Sequence, residues 1–208
     1  MNISLPPQDL RIWLFHSLRA SSAVMIHSGA VVDVDKLEAY LGNYSALLKY
    51  FMPDITLGMK DVTAYSTIYS ETCHELAHAS HFTKVGTGYW NKYIRYILES
   101  YIKTGGQMYG DGNSEYAGYC EVGECWAYYL ESMMYKERYG GSIPTFGTGY
   151  WFYPQVFRYL DERGLSRSDI FSVLGENVMS MDAVRTVLTE TFPEKRTIID
   201  QVFERYVN

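Results

Sequence analysis

The sequence has few of the features that mark nucleic-acid-binding, disulfide-rich or membrane proteins. Its 208 residues carry 18 basic and 24 acidic side chains, a net charge of −6, so we expect no broad basic surface for nucleic acid. The three cysteines, Cys73, Cys120 and Cys125, form no C-x-x-C pair, which argues against a disulfide framework. No apolar run approaches the roughly 18 residues that a membrane span needs.

The first residues, MNISLPPQDLR, lack both the basic and the apolar region of a signal peptide, so we expect none in the printed sequence. The location stays open: cytoplasmic, or secreted or periplasmic if a leader has been removed.

The composition, 47% hydrophobic and 20% charged, is typical of one globular domain, and the oligomeric state is open as well. The 20 tyrosines suit amphipathic surfaces and clefts, although a core and rim built from tyrosine is the simpler interpretation.

Hydrophobic periodicity, with glycine or proline at the ends, predicts a mostly helical chain. Helices are expected over 8–27 and 33–52, before Pro53. Residues 54–60 and 61–66 are expected to be extended and to form a small sheet. The remaining helices are predicted over 67–85, 89–103, 119–139 and 154–163, followed by three short ones that begin near Ser166, Ser180 and Pro193.

One motif carries clear chemistry. His74-Glu75-Leu76-Ala77-His78 is H-E-x-x-H inside a predicted helix. Residues four apart lie about 40° apart around a helix, so both imidazoles project from one face. That spacing matches two corners of a tetrahedral zinc site, while Glu75 can take a proton from a water molecule beside the metal. The alternative is a polar helix face with two ordinary histidines.

A third ligand has to come from another part of the chain. His81 continues the histidine stripe, but a straight helix cannot place three ligands around one ion, so we expect His81 at the rim of the site or on the surface. The best candidates are Glu121 and Glu124 on the following helix, three residues apart on one face. The spacing alone does not choose between them.

These two helices resemble those of the gluzincin class of zinc metallopeptidases, in which the ligand glutamate opens an E-x-[FW]-A segment. Glu124-Cys125-Trp126-Ala127 matches this pattern, so the resemblance implies that Glu124 is the ligand and Glu121 a neighbouring carboxylate. The whole chain is also similar to uncharacterised metallopeptidases of gut-dwelling bacteria. The resemblance implies a mostly helical α+β class, a zincin-like fold with a small sheet before the active-site helix.

The expected organisation is a single catalytic domain over residues 1–208. N-terminal helices would occupy 1–53, the strands and both ligand helices 54–139, and C-terminal helices 140–208.

By the same resemblance, the chain would be a hydrolase that cleaves a peptide or protein substrate. Zinc would be held by His74, His78 and Glu124, and Glu75 would serve as the general base. Tyr116 or Tyr119, which lead into the Glu124 helix, would supply the donor that stabilises the oxyanion.

The sequence departs from the family at one point. Many relatives have an acidic residue four positions after the ligand glutamate, where it braces a ligand histidine, and here Tyr128 stands there. The bracing role would pass to Glu121, to Glu131 or to Tyr128 itself. A second hypothesis therefore remains: a non-catalytic binding or effector module on a zincin scaffold.

Overall fold

The computed structural model describes the backbone of residues 10–16, 22–28 and 55–56, and both backbone and side chains of residues 64–207. The helix predicted over 33–52 lies outside these residues. The single-domain organisation over 1–208 stays a prediction, since the described ranges do not cover it.

Three short strands come first in the sequence: β1 (Leu10–His16), β2 (Ser22–Ser28) and β3 (Ile55–Thr56). β1 pairs antiparallel with β2, from Leu10 opposite Ser28 to His16 opposite Ser22, and β2 pairs antiparallel with β3. The helix predicted over 8–27 is therefore wrong. Each of the two apolar runs is seven residues long, and at that length periodicity does not separate a strand from a buried helical segment.

From residue 64 to residue 207 the chain is all-helical: helices make up 72% of this region, and it contains no strand and no sheet. The predicted α+β class, with a small sheet leading into the active-site helix, is wrong for this part of the chain. Tyr65 and Ser66, which were expected to be extended, already belong to the first helix. The candidate site is consequently built from helices alone.

Several helix ends lie at the residues that the sequence predicts. Ser166 and Asp169 form a reciprocal capping box, and the Ser180 side chain accepts a hydrogen bond from the Ala183 N–H. Gly105 ends the first helix in the left-handed conformation. A 3₁₀ turn over Pro193–Lys195 precedes the last helix. The helices are α1 (Tyr65–Thr104), α2 (Ala117–Tyr139), α3 (Gln155–Glu162), α4 (Arg167–Val173), α5 (Met181–Thr191) and α6 (Arg196–Tyr206).

Helix α1 is broken at Gly86, whose backbone has φ 76° and ψ 178°. In a straight helix, His78 and Tyr93 would be about 22 Å apart. Their ring centroids are 5.8 Å apart, so the chain reverses at Gly86 and the two halves of α1, residues 65–85 and 87–104, pack against each other. The glycine stop predicted at this position is confirmed.

Helix α2 is packed on two sides. On one side, Val122, Trp126 and Tyr129 belong to an apolar core shared with the C-terminal helices. On the other side, Tyr119 and Cys120 pack with an aromatic cluster from the two halves of α1. This arrangement places the α2 face that carries Glu124 against the H-E-x-x-H segment.

Among the residues described, no helix combines the length and the apolar character needed to cross a membrane.

The reversal at Gly86 gives a matched pair of glycine substitutions. A Cβ at Gly86 or at Gly88 would meet no heavy atom within 4 Å, but only Gly86 has a positive φ. Because its φ and ψ lie in a region almost restricted to glycine, Gly86→Ala should lower the free energy of unfolding by about 1–3 kcal/mol. Gly88→Ala should be close to neutral or slightly stabilising. Urea denaturation followed by circular dichroism measures both, and equal effects would contradict the assigned role of Gly86.

Candidate metal centre

Three side chains from two helices converge on one point. The nitrogen and oxygen atoms that His74, His78 and Glu124 offer as ligands all lie within 4.8 Å of one another. The two Nε2 atoms are 3.1 Å apart, and Glu124 brings Oε2 to 3.5 Å from His74 Nε2 and Oε1 to 3.5 Å from His78 Nε2. A buried His-His-Glu group of this kind could hold a metal ion.

The burial and hydrogen bonding of the group fit a cation. His74 is 5% exposed, His78 6% and Glu124 1%. Glu124 Oε2 is buried and has no hydrogen-bond partner among the described residues. A buried carboxylate needs a positive partner, and two Nε2 atoms that face each other share at most one hydrogen between them. A divalent ion between the three groups would satisfy both requirements, and two histidines with one glutamate form a recognised catalytic zinc set.

The ionisation of the group shows how strongly its charges interact. Burial alone would lower the pKa of His74, but the neighbouring carboxylates of Glu124 and Glu131 outweigh burial and raise that pKa to about 10. Burial would raise the pKa of Glu124, yet the neighbouring charge of His78 and the close approach of both histidines bring it well below its usual range. The centre is thus a place where a buried negative charge is stabilised by positive charge.

Glu131 braces His74 from the other side of the ring. Its Oε2 lies 3.1 Å from His74 Nδ1, and the residue is only 3% exposed. A carboxylate on Nδ1 holds the proton there and leaves Nε2 free to face Glu124. Of the three residues to which the bracing role could pass, Glu131 is the one that the structure brings within hydrogen-bond distance of His74 Nδ1. It lies seven residues, about two helical turns, beyond Glu124 on the same face of α2.

Tyrosine side chains complete the surroundings of the group, and of these the sequence identified only Tyr128, as a residue that could brace a ligand histidine. The Tyr93 hydroxyl donates a hydrogen bond to Glu124 Oε1. The Tyr128 ring packs edge-on against His74, with centroids 4.3 Å apart. Burial, together with the nearby charge of Glu124, raises the pKa of Tyr109 and of Tyr128, which hydrogen-bond to each other, so both hydroxyls stay protonated. With 20 tyrosines in the chain, composition gave no means of selecting Tyr93 or Tyr109.

The predicted catalytic residues have different surroundings. Glu75 follows His74 on α1, is half-buried, and lies close enough for its charge to raise the pKa of His74. The Tyr119 hydroxyl accepts a hydrogen bond from Lys92 Nζ at 2.9 Å and donates one to Met179 Sδ at 2.6 Å.

Tyr116 packs against the Tyr119 ring and under the Arg95 guanidinium. Within residues 64–207, no hydrogen bond links either the Tyr116 or the Tyr119 hydroxyl to the His-His-Glu group. The role of Tyr116 or Tyr119 as the oxyanion donor stays a prediction.

His81, which we expected at the rim or on the surface, is fully buried, so that prediction is wrong. Its ring packs edge-on against Tyr89, with centroids 5.0 Å apart, and neither ring nitrogen has a hydrogen-bond partner among the described residues. Burial lowers the pKa of His81 to about 3, so the ring is neutral. The reversal at Gly86 explains the burial, because it brings Tyr89 and Trp90 back over this face of α1.

Glu121 lies apart from the centre. Its Oε2 accepts a long hydrogen bond, 3.4 Å, from the Met181 N–H at the start of α5. Burial and the nearby charge of Asp182 raise the pKa of Glu121 to about 7, although the Met181 hydrogen bond opposes this. The structure thus brings Glu124 and not Glu121 to the two histidines.

The two carboxylates on α2 can be compared directly. Glu124→Ala removes one of three converging donors and should abolish stoichiometric metal binding, whereas Glu121→Gln should change the zinc affinity by less than about 10-fold, the smallest effect typical of an indirect partner. Elemental analysis and titration against a competing chelator measure both. Metal retained by Glu124→Ala, or lost in Glu121→Gln, would reverse the assignment.

Glu121 also predicts a pH dependence of stability. The folded state raises its pKa from 4.5 to about 7, so its stabilising contribution is complete below pH 4.5 and disappears as the pH rises through 7. Glu121→Gln removes this loss, so between pH 5 and pH 8 the variant should gain on the order of 1–3 kcal/mol relative to the parent. Urea unfolding at several pH values tests it. Parallel stability curves for the two proteins would contradict the raised pKa.

Comparisons with protein-family models, with curated proteins and with solved structures find no match to the chain. The functional argument therefore depends on the site itself: the spacing of the two histidines, the position of Glu124, and the groups that surround them. Each of these is a property of this chain that can be tested by substitution.

Proposed function

We propose that the chain is a zinc-dependent peptidase in which Glu75 is the general base. The observation that supports this most strongly is the convergence of His74, His78 and Glu124 on one buried point. Glu75, the glutamate of the H-E-x-x-H motif, is near enough for its charge to act on His74. A site that only holds an ion needs no base. The glutamate next to the first histidine therefore favours catalysis over a purely structural role.

The donor set favours zinc over other common divalent ions. Two imidazole nitrogens and one carboxylate oxygen suit zinc, whereas magnesium and calcium prefer oxygen ligands throughout. Zinc held by His74, His78 and Glu124 would supply Lewis-acid polarisation of a water molecule and of the scissile carbonyl group.

The chain's own residues would divide the remaining work. A Glu75 carboxylate oxygen would accept the proton of the attacking water and pass it to the leaving amine nitrogen. Glu131 would hold the Nδ1 proton of His74, which keeps that ring in the tautomer whose Nε2 faces Glu124. Tyr128, whose ring contacts His74, would be a candidate beside Tyr116 and Tyr119 to donate a hydrogen bond to the oxyanion.

One observation favours the second hypothesis, a binding or effector module with a structural ion. The three donor residues are each at most 6% exposed, and closed sites are typical of structural zinc. A peptide bond could reach the centre only if some of the aromatic side chains around the centre moved. The test must therefore separate metal binding from catalysis.

Glu75→Gln makes that separation, with Glu71→Gln as the matched control. Glu71 lies one turn earlier on α1 and is exposed. Glu75→Gln should keep about one zinc per chain and lose at least about 100-fold in the rate of cleavage of a mixed peptide library, because a general base typically contributes that much. Glu71→Gln should keep both zinc and activity.

Two results would overturn the proposal. Loss of zinc in Glu75→Gln would make Glu75 a ligand. A zinc-loaded parent protein that cleaves no peptide in the library would favour the binding or effector module.

A further inference from the structure

Tyr93 approaches the candidate centre from a different half of α1 than the histidines. The reversal at Gly86 carries it back, and its hydroxyl donates a hydrogen bond to Glu124 Oε1. The other carboxylate oxygen, Oε2, is buried and has no hydrogen-bond partner among the described residues. The two oxygens of Glu124 therefore have different surroundings, although they are chemically identical in the free side chain.

The packing around Tyr93 holds this hydroxyl in place. Its ring lies 4.5 Å from the Trp90 ring and 5.8 Å from the His78 ring, measured between centroids. On α2, Gly123 lies directly against it, since a Cβ at that position would be 3.3 Å from Tyr93 Cε2. The residue beside the carboxylate is thus small enough to let the ring reach Glu124.

We propose that Tyr93 is a positioning residue that holds Glu124 Oε1, so that the carboxylate binds the metal through Oε2 alone. The inference rests on the metal-binding part of the proposed function and not on catalysis. An oxygen that accepts a hydrogen bond from a fixed hydroxyl is less available to a cation than one with no other partner. The ion would then have three protein donor atoms, two nitrogens and one oxygen, and keep a free position.

Without the hydroxyl, both oxygens of Glu124 would be equally available. The carboxylate could then rotate and bind through both oxygens, which would raise the number of donor atoms around the ion. The hydroxyl also restricts rotation of Glu124 before metal binds. Removing a group that orients a ligand in this way typically weakens metal binding by about 10- to 100-fold. Tyr93 should therefore affect both the affinity and the geometry of the centre.

The test compares Tyr93→Phe with Tyr129→Phe in the full chain. Tyr129 is an equally suitable control because it is 1% exposed and its hydroxyl also donates to a carboxylate, Asp161 Oδ2 at 2.8 Å, but on the opposite side of α2. Zinc affinity is measured by competition with a chelator. Coordination number is read from the visible absorption of the Co²⁺-loaded proteins, whose bands weaken as donor atoms are added.

Tyr93→Phe should bind zinc about 10- to 100-fold more weakly and show weaker Co²⁺ bands than the parent, while Tyr129→Phe should match the parent in both. A general loss of packing would not give a change in the Co²⁺ spectrum that is confined to Tyr93→Phe and absent from Tyr129→Phe. Unchanged affinity and spectrum in Tyr93→Phe, or equal changes in both variants, would overturn the proposal. Absence of metal binding by the parent protein would instead refute the metal site itself.

Discussion

The carboxylate of Glu124, 1% exposed, is the constraint on which the surrounding structure depends. A buried negative charge is tolerated only where positive charge and hydrogen-bond donors reach it. The first half of α1 brings the two histidines, and the second half brings the Tyr93 hydroxyl. Small side chains make that approach possible: Ala77 and Ala127 are fully buried, and Gly123 leaves room for the Tyr93 ring. The tight packing of α1 against α2 is therefore linked to the charge that it encloses.

The parts of the fold and site that depend on local geometry could be predicted from the sequence. The distance of four residues between His74 and His78 is enough to place both rings on one helical face, and that needs no knowledge of the rest of the chain. The ends of helices could also be predicted from local sequence, because a glycine with positive φ or a capping serine marks a boundary through its own conformation. Glu124 was selected by the E-x-W-A segment it opens, and the structure brings it to the histidines.

The remaining features depend on contacts between residues that are distant in sequence. Nothing around Tyr93 distinguishes it from the other tyrosines, and it meets Glu124 only because α1 reverses at Gly86. The same reversal buries His81, which a straight helix would have left at its surface. Short apolar segments failed for another reason: the runs that form β1 and β2 are compatible with either a helix or a strand, and long-range pairing decides between them.

The reversal at Gly86 also determines how far apart in the chain the members of the centre are. His74, His78 and Tyr93 all belong to one helical hairpin, so bringing them together closes only a short loop and costs little chain entropy. Glu124 arrives from a separate helix, after the intervening segment between α1 and α2. Contacts of short sequence separation generally form first during folding. The hairpin is thus expected to assemble as an early unit with both histidines and the tyrosine in place, and the docking of α2 is the later step that adds the buried charge.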